Sequence, residues 1–240
     1  MIVHVLPGDA QVQTFKNTCI VGEVVVCRET LVTGDLEGDS LEEFWETRAN
    51  LIAVEFGGDP IVYRETVAGE FEKLLDLDPN DEVNLWFEYE LFCSVNMWFC
   101  LDLLKNSGLK IFRVSPIKTA PDRIWDGFGQ HSPQDLVDCF DARVQFSQVD
   151  ISKGSQLWNA FRERDAEALK DLSTYESPCF PFLKEACDAA AEVDNEPHEI
   201  VKDLKASGLR DLETLFPEFR KRAGVYGFGD SQVERLMRRI

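Results

Sequence analysis

The sequence predicts an α/β fold, a mainly parallel sheet flanked by helices and followed by a helical carboxyl-terminal region. Three observations predict it. Short apolar, β-branched runs alternate with amphipathic segments of helical length through the first 145 residues, the pattern of strand–helix–strand units joined by right-handed crossovers. The stretch from Val83 to Leu104 starts as an apolar strand, breaks at Glu88 and Glu90, and becomes an almost wholly apolar helix. After about residue 130 the strand signals thin out and helical segments follow one another.

The elements follow in order. IVHVL is the first strand and ends at Pro7-Gly8-Asp9; Val12, Phe15, Lys16 and Cys19 then recur at helical spacing. EVVVC is the second strand, rich in β-branched residues and ending in Arg28-Glu29. Ser40 with Glu43 forms a capping-box signature, and Leu41, Phe44, Trp45, Arg48 and Ile52 make one helical stripe. Beyond Gly57, Gly58 and Pro60 a further helix turns Val67, Phe71, Leu74 and Leu75 inward. VNLWF is the third strand and KIFRV, introduced by Gly108, the fourth. Ser132-Pro133 opens a helix, and ARVQF reads as a last strand or an extended connector. Helices are then expected over 155–163, 165–172, 180–192, 197–207, 209–222 and 231–240, the last capped by Ser231 and Glu234. The division is an α/β domain over 1–145 with a Rossmann-like sheet. A helical region over 146–240 packs on it or forms a small second domain.

Composition narrows the partners. The net charge is −19, and residues 201–240 run against it with nine Lys/Arg to six Asp/Glu. An acidic body repels phosphate backbones and anionic surfaces, which excludes nucleic acid and membrane as partners. A small molecule, a protein partner or a second copy of the chain stays open. The seven cysteines form no CxxC pair and several sit in apolar runs, while only His4, His131 and His198 could join them. No structural zinc pattern can be built from these, and free buried thiols fit a cytoplasmic address. No signal peptide or apolar run of membrane-spanning length is visible.

In a parallel sheet the chain leaves every strand at one edge, where open α/β sheets bind their ligands. The residues after the first three strands are Gly8-Asp9, Arg28-Glu29 and Glu88-Tyr89-Glu90. Asp9, Glu29, Glu88 and Glu90 are therefore candidate catalytic groups. Arg28 is the countercharge, Gly8 a point of close backbone approach, and His4 and Asn96 are further ligand-binding candidates. Grouped carboxylates can hold a divalent metal such as Mg²⁺, Mn²⁺ or Ca²⁺, or split into an acid and a base. Each could also merely cap a helix, as Asp9 and Glu90 would, and His4 could be a satisfied core residue. LPGDAQV lacks G-x-G-x-x-G, so there is no NAD or FAD signature. The triplets at 127–129 and 227–229 read as turns, and packing explains Cys93 and Cys100, although Cys93 follows the acidic turn.

These motifs carry a resemblance. His4 to Asp9, Arg28 to Leu31 with Gly34, and Leu85-Trp86-Phe87-Glu88-Tyr89-Glu90-Leu91-Phe92 fall in order along the chain. Gly127-Phe128-Gly129, Pro181-Phe182-Leu183 and Tyr226-Gly227-Phe228-Gly229 follow. In this the chain resembles the DUF1835 family of uncharacterised bacterial proteins over nearly its whole length, LWFExxLF being the most specific piece. Pro7, Cys27, Asp35 and Glu90 stand where that family has Asn, Trp, Pro and Asp. The resemblance sharpens the list of site residues and carries no reaction.

Two functional readings follow. In the first, an acid-rich pocket at the carboxyl ends of the strands binds or hydrolyses a small nucleotide-like molecule with a divalent metal. In the second, the chain is a non-catalytic regulatory or protein-interaction module. A catalytic site needs the acids convergent in a concave pocket, whereas a module scatters them over helix starts.

Overall fold

The computed structural model describes residues 1–117 and 120–240. The chain runs β1 (Ile2–Leu6), α1 (Asp9–Lys16), β2 (Glu23–Val26), α2 (Leu41–Phe56) and α3 (Pro60–Tyr63). A π-helical turn, Arg64–Ala68, leads into α4 (Gly69–Glu72), then β3 (Glu82–Trp86), α5 (Leu91–Leu104) and β4 (Lys110–Val114). A 3₁₀ turn, Pro121–Asp126, precedes α6 (Pro133–Asp141), β5 (Val144–Gln145), α7 (Gln148–Arg162) and α8 (Ala166–Leu172). Next come α9 (Leu183–Glu192), α10 (Glu196–Ala206), α11 (Leu212–Ala223), a 3₁₀ turn at Gly224–Tyr226 and α12 (Asp230–Arg239).

The sheet has the order β2-β1-β3-β4-β5. The first four strands are parallel and β5 pairs antiparallel with β4 through two residues. Leu6 lies opposite Val26, and Trp86 opposite Val114, so the carboxyl ends of β1 to β4 share one edge. The chain steps from β1 to β2 on one side and then returns to place β3 on the other. Between β1 and β3 the connections diverge, which makes this the topological switch point of the sheet.

The pleat assigns the side chains to two cores. Val3, Val5, Val83, Leu85 and Ile111 point to the larger, which runs on through α5 to Val233 and Leu236. Leu6, Trp86 and Val114 point to a smaller one with Phe15, Phe128 and Leu136. Helix α5 is buried on nearly every face because α7 packs along it from the carboxyl-terminal half. That explains why its sequence is apolar all round rather than striped. The helices after residue 145 thus share one core with the sheet.

Three local expectations change. α7 begins at Gln148, ahead of the expected start, because Ser147 and Asp150 close a reciprocal capping box. α12 is entered through Gly229, whose N–H donates to Gln232 Oε1 at 3.0 Å, so Ser231 and Glu234 do not cap it. Leu75 is exposed, since α4 ends at Glu72 before a turn. No helix among the described residues is long and apolar enough to cross a membrane.

Candidate functional site

The acids at the carboxyl edge divide into three separate arrangements. The first spans the loops after β1 and β2. Arg28 donates from Nε and Nη2 to the two carboxylate oxygens of Asp9, both at 2.8 Å, and from Nη1 to the Thr66 carbonyl at 2.9 Å. The Arg28 hydrogen bonds hold Asp9 below the ordinary carboxylate range. The pair is solvated, with the Asp9 side chain 65% exposed. Gly8, which precedes α1, has open space above its α-carbon.

The second arrangement is a closed network. Glu29 is 2% exposed and Arg48 fully buried. Arg48 donates from Nε to Glu29 Oε1 at 3.1 Å and from Nη2 to Oε2 at 2.7 Å. The Tyr63 hydroxyl and the Thr30 N–H also donate to this carboxylate. The remaining Arg48 donors meet the carbonyls of Thr30, Thr33 and Asp35. Burial and then the Glu29 charge push the Tyr63 phenol up, so it stays protonated. Asn96 reaches across from α5, donating to the Glu29 carbonyl at 2.9 Å and accepting the Leu31 N–H at 3.4 Å. Glu29 and Asn96 therefore fasten the loop after β2 to α2 and α5, and every polar atom they offer is engaged.

His4 is also engaged. It is fully buried against Phe15, Trp86 and Phe140, on the smaller-core face of the sheet. Its Nδ1 accepts the Trp86 indole N–H at 3.2 Å and its Nε2 lies 3.2 Å from the Val21 carbonyl. These partners assign a neutral ring with the proton on Nε2. Burial lowers its pKa.

The third arrangement lines a cavity. Glu88 and Glu90 follow β3, and with Cys93 they bring one donor atom each to within 4.8 Å of one another. Glu90 caps α5: its Oε1 accepts the Cys93 N–H at 3.1 Å. It is 4% exposed, and its Oε2 has no hydrogen-bond partner among the described residues. Burial, reinforced by the neighbouring Glu88 charge, pushes its carboxyl up to about 8. Glu88 accepts the Phe128 N–H at 2.6 Å; burial lifts it to about 7, that N–H and Arg220 holding it back.

These two carboxyls form the floor of a cavity of about 210 Å³ walled by Trp125, Phe216, Phe219 and Phe228. Arg220 stands at its edge, donating to Asp126 at 2.8 Å. The two GFG triplets, expected to be turns, do more. Gly127 (φ 59°) and Gly227 (φ 68°) have left-handed backbones that lay the chain directly over the acids. A Cβ at Gly127 would stand 1.9 Å from Glu88 Cδ, and one at Gly227 2.4 Å from Glu90 Cγ. The repeated triplet was the visible sign of this in the sequence. Trp125, Phe216 and Arg220 had none.

The structure thus brings Glu88 and Glu90 together with Cys93, and gives Asp9, Arg28, Glu29, Asn96 and His4 other partners. No family model matches the chain, and neither the curated proteins nor the solved structures contain a match.

Proposed function

We propose that the chain binds a small, nucleotide-like molecule in the cavity above Glu88 and Glu90, together with a divalent cation held by those carboxylates, and acts on it by hydrolysis. One observation carries the reading: two adjacent carboxyls, Glu88 half-buried and Glu90 buried with an unpartnered oxygen, line an aromatic-walled cavity. Two like charges so close and so poorly hydrated are neutralised by a proton or by a cation. A cation bound there polarises a phosphoryl or carbonyl oxygen and acidifies a bound water. The aromatic walls suit a flat ring, and Arg220 suits an anionic group at the mouth.

Further support comes from sequence. Leu85 to Phe92, the most specific piece of the resemblance to the DUF1835 family, supplies both carboxylates. Six of the seven free cysteines are buried thiols, in keeping with a reducing, cytoplasmic setting. The test is thermal melting of wild type and Glu88→Gln across divalent ions and a panel of nucleosides and nucleotides. Ligand-dependent stabilisation of the wild type alone supports the site. A wild type indifferent to every ion and compound overturns it.

A further inference from the structure

We propose that the cation at this site is a thiophilic transition metal, of the Zn²⁺, Fe²⁺ or Co²⁺ kind, and that Cys93 Sγ is its third protein ligand beside Glu88 and Glu90. The proposal rests on the reading of these carboxylates as the cation-holding floor of the cavity, and names what they hold.

The geometry comes first. A tetrahedral site with metal–oxygen and metal–sulfur bonds of about 2.0–2.3 Å places its donors roughly 3.5 Å apart. Glu88, Glu90 and Cys93 already present one donor each within 4.8 Å, so small side-chain rotations close the set. Glu90 is fixed for this by its own helix: Oε1 is tied to the Cys93 N–H, and Oε2 is left buried and unpartnered. A buried oxygen without a partner calls for a water or an ion. Three protein ligands beside a cavity leave a fourth position facing the space where a substrate would sit.

Charge supplies an independent argument. Arg113 is 3% exposed, and its guanidinium donates to Ser115 Oγ, Met97 Sδ and the carbonyls of Cys179 and Glu88. It makes no ion pair with any described side chain. Two carboxylates and a thiolate around a divalent ion leave one negative charge, and this buried cation, bonded to the Glu88 carbonyl, balances it. A thiolate in the set also selects the metal. Sulfur ligands favour Zn²⁺ and its neighbours, whereas Mg²⁺ and Ca²⁺ take oxygen donors.

Cobalt reports the sulfur directly. Co²⁺ titrated into the reduced 240-residue chain should give a near-ultraviolet thiolate-to-metal charge-transfer band at one equivalent. Cys93→Ser should lose that band and bind Zn²⁺ at least tenfold more weakly in chelator competition. Cys19→Ser, which removes the exposed thiol, should keep both. X-ray absorption of the zinc-loaded wild type should show one sulfur per zinc, a readout that needs no variant to fold. A cobalt spectrum without the band, a band that survives Cys93→Ser, or zinc with no sulfur neighbour would overturn the proposal while leaving an all-oxygen cation site standing. If no transition metal binds at all but Glu88→Gln abolishes binding of a nucleotide, the metal proposal falls and the pocket remains.

Discussion

Gly127 lies against the Glu88 carboxyl so closely that even one methyl group cannot be inserted, and Gly227 stands in the same relation to Glu90. Gly127→Ala and Gly227→Ala should therefore each cost about 1–2 kcal/mol from the left-handed backbone alone, and should push the carboxylate out of place. Gly129→Ala is the control, because its added Cβ meets only the Asp126 carbonyl at an ordinary 3.4 Å. Urea melts with and without Zn²⁺ would check this; a Gly127→Ala protein as stable and as metal-responsive as wild type would refute it.

Glu29 and Glu88 should respond in opposite ways to the same change. Glu29→Gln leaves the buried Arg48 without its countercharge, at a cost on the order of 3–5 kcal/mol. Glu88→Gln keeps an acceptor for the Phe128 N–H and should stay within about 1 kcal/mol of wild type, while losing cation and ligand binding. Equal destabilisation in the two variants would contradict the separation of structural and functional acids.

The solvated Asp9–Arg28 pair should matter little. Asp9→Asn is expected to lower stability by no more than about 1 kcal/mol, less in high salt, since exposed pairs are screened. Ligand-induced stabilisation should be unchanged. A variant that binds no ligand would bring this pair back into the site.

His4 sets a pH dependence of stability. Burial favours its neutral form, as does Arg143; the bond to the Val21 carbonyl and the charge of Glu82 act the other way. The folded chain therefore holds fewer protons than the unfolded chain once the pH falls below the ordinary value of 6.5. Stability from this residue is present above that pH and declines as the pH drops through and below it. His4→Gln should flatten the slope of unfolding free energy against pH in that window, and an identical slope would remove the assignment.

Duplex DNA should not bind at physiological salt. The chain carries −19, and the basic residues of α11 and α12 are partly occupied, Arg220 by Asp126 and Arg235 and Arg239 by Glu55. A steeply salt-dependent gel shift at micromolar protein would show otherwise.

The sheet edge was legible because a parallel strand delivers its following residues to a fixed place, so local pattern sufficed for Gly8, Arg28 and Glu88. Convergence was not legible, because it depends on residues far along the chain. Glu88 and Glu90 meet walls drawn from 125–128 and 216–229, and no local spacing encodes that docking. The fate of Glu29 was half visible: Arg48 sits on the apolar stripe of α2, and a charge on a buried stripe needs a partner. Cys93 looked like packing because α5 is largely apolar and Cys93 shares a helix face with Cys100; its place beside the acids follows from the fold, which brings its thiol within 4.8 Å of a Glu88 and a Glu90 oxygen.

The walls of the cavity also impose an order in time. All five strands and both acids are synthesised before α11 and the turn at Gly227 exist, and chains fold broadly from the amino terminus as they are made. Until those last segments dock, Glu90 lacks the turn at Gly227 and Glu88 has only Gly127 and Phe128 beside it, so nothing encloses a guest. Occupancy of the site is thus a late event, open only once α11 and the turn at Gly227 have docked, and the guest in turn holds those segments against the sheet.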